Sequence, residues 1–141
     1  MKDYLKLFIE HPKKTCFIIK DDIVIFSSSE RGVKPILDYY NEFGVSDVPL
    51  TIVDKIIGKG AVVLAILVGA KTIVTPTISE DGLILAKEYK LNVSFENTVP
   101  YIINRDKDGR CPIESSVLKI EDINDGYNKI LFKLKELSNQ K

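Results

Sequence analysis

Five residues near the middle of the chain have the types and spacing to hold a small anion: Asp54, Lys55, Gly58, Lys59 and Gly60. They span the start of a run from Ile56 to Ala70 whose only charged residue is Lys59. An apolar run of this kind reads as a helix, and the amino end of a helix offers free backbone N–H groups and positive potential. Glycines there let a ligand or another backbone approach closely, and neighbouring lysines favour phosphate or carboxylate. Each glycine costs a helix about 1 kcal/mol relative to alanine, so two in one turn imply a packing or a binding reason. Tight helix packing, an N-cap and an exposed lysine are the plain alternative. The stretch is not a Walker loop: GxxxxGK requires glycine where Val53 stands, and Gly60 follows the lysine in place of Ser or Thr.

Other candidates lie further along. Cys111 precedes Pro112-Ile113-Glu114, a helix start with proline at its first position. A cysteine there can be nucleophilic, but the lone histidine, His11, sits in a charged, surface-like stretch far away in sequence. Cys111 is equally a small packed side chain, with Glu114 favouring the first turn. Asn104, Arg105, Asp106 and Asp108 suit a ligand loop or a solvated turn, with Arg105 as the anion contact. A calcium loop starting at Asp106 would need a glutamate where Val117 stands. Thr77, Ser79 and Glu80 open another helix, Thr77 and Glu80 having capping-box spacing, and they follow a strand whose carboxyl end is a usual ligand position.

The elements that must position these residues follow from periodicity. Asp3 caps a short helix that turns Tyr4, Leu5 and Phe8 to one face and stops at Pro12. Residues 15–20 and 23–27 form a hairpin about Asp21-Asp22, apolar on both faces and so predicted to have layers above and below. Val33, Ile36, Leu37 and Tyr40 mark a helix ended by Gly44, followed by a connector with a short extended piece before Asp54. Asp54 is the expected N-cap of the central helix, residues 56–69, which must be buried on every face. Residues 71–76 and 92–95 are strands joined by a helix from Thr77 to about Tyr89, a βαβ unit with a parallel pair. Asn124 is the expected cap of a last helix whose stripe is Tyr127, Ile130, Leu131 and Leu134. The expected architecture is a single domain over 1–141, α/β, a three-layer α/β/α sandwich with a mixed sheet.

The segments Asp54-Lys55-Ile56-Ile57-Gly58-Lys59-Gly60-Ala61, Val99-Pro100-Tyr101-Ile102-Ile103-Asn104-Arg105-Asp106 and Cys111-Pro112-Ile113-Glu114 resemble a small bacterial family, a domain of unknown function, assigned to the cytidine deaminase-like fold. The resemblance covers most of the chain and implies that fold without implying a reaction. Zinc deaminases of this fold open the central helix with HxE and the next helix with PCxxC. The corresponding positions here are near Gly58-Lys59-Gly60 and near Pro76-Thr77-Ile78-Ser79, where the proline is kept and no zinc ligand stands. Residue types argue the same way: one histidine and two cysteines far apart, Cys16 and Cys111, do not supply three nitrogen or sulfur ligands at working spacing.

Bulk properties bound the rest. The 141 residues are 45% hydrophobic and 28% charged, with twenty basic and twenty acidic side chains. This balance favours neither nucleic acid nor a membrane surface and permits self-association. Two cysteines without a CxxC, and a charged amino terminus without a signal-like apolar core, lead to the expectation of a cytoplasmic protein. The 56–70 run is shorter than the roughly 20 apolar residues that span a bilayer. Three expectations follow. The first is a cofactor-free, metal-independent domain that binds a small anionic, nucleotide-like molecule between the starts of the two helices, with Asp54 as acceptor. The second is a metal-free enzyme with Cys111 or a lysine such as Lys59 as nucleophile. The third is a catalytically silent scaffold that forms a homo-oligomer.

Overall fold

The computed structural model describes residues 3–103 and 109–139. Its elements, in chain order, are α1 (Lys6–Glu10), β1 (Cys16–Lys20), β2 (Ile23–Ser28), α2 (Lys34–Phe43), β3 (Leu50–Asp54), β4 (Ile56–Ile57), α3 (Lys59–Val68), β5 (Ala70–Ser79), α4 (Glu80–Glu88), β6 (Asn92–Val99), α5 (Pro112–Ser116) and α6 (Ile123–Asn139). They build a six-stranded mixed sheet. Strand β1 pairs antiparallel with both β2 and β3, whereas β3, β4 and β6 all pair parallel with β5. Because β4 and β6 share partners Thr77 and Ile78, β5 carries β3 and then β4 along one edge and β6 along the other. Among the described residues no helix is long and apolar enough to cross a membrane.

The hairpin forms because Asp21 and Asp22 adopt φ of 51° and 64°, the paired left-handed conformation that matches strand twist. Alternation in β1 sends Cys16 and Ile18 to one face and Phe17 and Ile19 to the other. Helices α2, α3, α4 and α6 cover the first face, and α1 covers part of the second with Tyr4, Leu5, Leu7 and Phe8. The helix layers are therefore unequal. Strand β1 is buried on both faces as expected, but β2 is an edge strand with Ile23, Val24 and Ile25 exposed.

Helix α3 is enclosed by α2, α4, α5, α6 and β5. Val62, Val63, Leu64, Ala65 and Val68 are at most slightly accessible, which explains the apolar run on every face. Each valine or leucine so buried contributes about 1.5–3 kcal/mol. Gly69 ends the helix at φ 95°, where a β-carbon would stand 2.9 Å from the Ser46 carbonyl oxygen.

Several expected boundaries move. Asp54 is the last residue of β3, not an N-cap, and Gly58 takes the capping position in extended conformation. The intervening Ile56-Ile57 pairs with Thr77-Ile78 instead of entering the helix. The connector before Asp54 ends in a full central strand, β3. Strand β5 runs through Pro76 to Ser79, and Ser79 rather than Thr77 caps α4 by accepting the Gly82 N–H at 3.1 Å. Pro76 is tolerated because it falls in the gap between the β3 and β4 pairings and between Thr75 and Thr77 in the β6 pairing. Asp122 caps α6 by accepting the Asp125 N–H at 2.8 Å, in place of Asn124, and Leu131 is exposed while Ile123 and Leu137 join the stripe.

Candidate functional site

The amino end of α3 is occupied by the protein's own carboxylate. Glu114, 1% exposed, projects from the Pro-initiated helix α5. One oxygen accepts the Lys59 backbone N–H at 2.9 Å and the other accepts the Ile102 N–H at 2.7 Å. A helix amino end stabilises such a negative group. The glycines make this contact possible. A β-carbon at Gly58 would stand 2.9 Å from Glu114 Oε2 and 2.9 Å from Ile102 Cγ1, and one at Gly60 would stand 3.0 Å from Ile113. Gly82 allows the same closeness from α4, where a β-carbon would meet the Lys59 nitrogen at 3.3 Å. The structure thus brings Gly58, Lys59, Gly60, Ser79 and Glu114 together.

The two lysines diverge. Lys59 Nζ donates to the Leu118 carbonyl at 2.9 Å and Lys55 Nζ to the Pro12 carbonyl at 3.1 Å, the latter lying over the Phe8 ring. Neither points its charge at the Glu114 carboxylate by a direct bond.

Asp54 sits at the carboxyl end of β3, 5% exposed, directly across from Cys16 in the β1–β3 ladder. Its Oδ1 accepts the Ile56 N–H at 3.3 Å, whereas its Oδ2 has no hydrogen-bond partner among the described residues. Burial pushes its pKa up to about 7; the Ile56 N–H, the Cys16 thiol and Lys55 offset only part of that rise. Burial, reinforced by the Asp54 charge, pushes the Cys16 thiol well above its ordinary range, so Cys16 is no thiolate nucleophile at neutral pH. The other buried hydroxyls are satisfied nearby: Thr75 Oγ1 donates to the Thr77 carbonyl at 3.0 Å, and Ser28 Oγ accepts the Glu30 N–H at 3.0 Å. Sequence reading missed Cys16, because its pairing with Asp54 depends on a long-range register.

Of the remaining candidates, Thr77 lies within β5, and Cys111 is a half-buried residue at the start of α5 that packs against the core. Arg105, with Asn104, Asp106 and Asp108, lies outside the described residues. His11 is exposed. Among the described residues no three His, Cys, Asp or Glu side chains converge as a metal site would require.

Residues 5–133 match the TM1506 domain family, a domain of unknown function (DUF1893). The chain belongs to that family. This DUF1893 domain is also similar to the crystal structure of a DUF1893 family protein (TM1506) from Thermotoga maritima, at 26% identity and a TM-score of 0.78, over 94% of this chain and 86% of that one. Comparison with curated proteins found no match.

Two outcomes follow for the DUF1893 domain. Glu114→Ala strands the Lys59 and Ile102 N–H groups and should cost about 2–5 kcal/mol in urea unfolding. A loss below about 0.5 kcal/mol would show that the carboxylate does not hold this corner. For Asp54 the folded-state pKa stands above the unfolded value, so the folded protein binds the proton more tightly. Stability should therefore fall as pH rises from about 4 to about 7 and level off above, by a total on the order of 4 kcal/mol from this group. Asp54→Asn should remove that slope when the two proteins are unfolded in parallel across the range.

Proposed function

We propose that this protein is a metal-independent small-molecule-binding domain on a cytidine deaminase-like fold, not a zinc deaminase, acting in the cytoplasm. The place where the resemblance puts HxE is the Gly58-Lys59-Gly60 turn, and there the Glu114 carboxylate takes the Lys59 N–H. The residue types at Pro76-Thr77-Ile78-Ser79 likewise offer no nitrogen or sulfur ligand. Both cysteines are free, in keeping with a reducing compartment.

The observation that carries the reading is the unpartnered Oδ2 of buried Asp54. A buried carboxylate oxygen without a partner costs free energy, and an N–H or O–H donor from a ligand offsets it. The ligand class that combines such a donor with an anionic group is nucleotide-like: a base edge for Asp54, and a phosphate or carboxylate for Lys55 or Lys59, drawn from its carbonyl partner at Pro12 or Leu118. Gly58 and Gly60 make room for Glu114, Ile102 and Ile113, so an anion reaching α3 exchanges with Glu114. Nucleotide-likeness rests on fold analogy.

The second reading, a homo-oligomeric scaffold, is favoured by one observation: edge strand β2 exposes Ile23, Val24 and Ile25 in succession.

A thermal-shift panel of nucleobases, nucleosides, nucleotides and small phosphorylated metabolites separates the two. A ligand at 100 times its dissociation constant adds about 2.7 kcal/mol, a rise of several degrees for a domain of this size. The expected result is a shift by a base-bearing ligand that Asp54→Asn abolishes. A flat panel, together with a dimer that Val24→Lys converts to monomer in sedimentation, would transfer the account to the scaffold.

A further inference from the structure

Asp54 does more at this corner than end a strand. Its Oδ1 bridges to the Ile56 N–H and so holds the kink between β3 and β4. Beyond that bridge the corner is lightly held. Strand β4 has two residues, paired only with Thr77 and Ile78, and Ile56 is 52% exposed. By contrast, β3 on the near side is fixed by β1 and β5 together. We infer that the proton on Asp54 sets how often the 54–58 corner opens, closed when the carboxyl is neutral and increasingly opened when it is ionised.

The groups facing Asp54 explain why. From β1 comes the Cys16 thiol, a weak donor at most. From its own chain comes Lys55, whose Nζ is held by the Pro12 carbonyl. The β2 and β5 residues at this end, Ser28, Thr75 and Ser79, are neutral and have their own partners. At the far end of the corner Glu114 adds a second negative charge, committed to two backbone N–H groups, while the Lys59 ammonium is turned to Leu118. No cation is bonded to Asp54 among the described residues to compensate its ionised form.

Ionisation can be relieved by hydrating Oδ2, and the least costly way is local opening. Opening at 54–58 gives up the Ile56 bridge and a two-residue strand, while the β1–β3 and β3–β5 ladders persist. It also loosens Gly58 from the Glu114 carboxylate and so exposes the first turn of α3. If that turn borders the binding site, as the function proposed above has it, access to the site is proton-controlled.

Amide exchange followed by NMR at Ile56, Ile57, Gly58 and Lys59 from pH 5 to 8, each rate divided by the intrinsic rate, tests this without any ligand. Opening releases one proton. Protection at these amides is therefore expected to fall close to tenfold per pH unit up to about 7 and then level, and to lie throughout well below that of Ile18, Ile52 and Leu64, which exchange only through global unfolding. In Asp54→Asn the corner should show pH-independent protection. Cys16→Ser, which places a stronger donor beside the carboxylate, should shrink the fall. Flat protection in the wild-type protein would overturn the inference, as would corner amides as strongly protected as Ile18, Ile52 and Leu64 at every pH. Because no ligand enters the measurement, its failure leaves the binding proposal standing, and a flat ligand panel leaves the latch standing.

Discussion

The hydrogen bond from the Lys59 backbone to Glu114 is the contact on which this end of the molecule depends. Helix α3 is buried from Gly60 to Val68 along most of its surface. Its first-turn N–H groups therefore need protein acceptors, since water reaches them poorly. Glu114 supplies one and simultaneously ties down Ile102. The absence of side chains at Gly58 and Gly60 follows from this, because α5 lies where their β-carbons would be. A sequence feature that suggests an external anion site thus has an internal carboxylate seated in it.

Asp54 presents the opposite situation. Glu114 has both oxygens engaged, whereas Asp54 has one engaged and one without a partner. Two carboxylates bracket a five-residue corner, with the ammonium groups of Lys55 and Lys59 turned to the Pro12 and Leu118 carbonyls instead. Among the described residues, no donor at this end of the sheet meets Asp54 Oδ2. A donor-bearing ligand and a proton are the two partners proposed above for Asp54 Oδ2.

What the sequence reveals and what it hides divide along the range of the interactions. The Asp21-Asp22 hairpin, helix α2 with Pro35 at its start and Gly44 at its end, the Gly69 terminus and the parallel βαβ unit are all set by local residue chemistry, and all are legible. The errors come from competition between local and long-range pairing. Asp54 stands where an N-cap belongs, yet Ile56-Ile57 gains more by pairing with Thr77-Ile78 across the sheet. Thr77 has the capping-box spacing, but strand pairing extends through it and leaves the cap to Ser79. Gly58, Lys59, Gly60 and Glu114 meet at the start of α3, while Asp54 lies at the end of β3 against Cys16. The link between Lys59 and Glu114, and the pairing of Asp54 with Cys16, depend on tertiary structure and have no sequence signature.

The central claim is that Asp54 is buried with an unpartnered oxygen. The most direct measurement is a carbon-13 NMR titration of its side-chain carboxyl in the folded wild-type protein, assigned by comparison with Asp54→Asn. The account predicts a midpoint of about 7. A midpoint near 4, the value of a solvated aspartate, would show that Oδ2 is hydrated or paired, and would remove the basis for both the binding site and the latch.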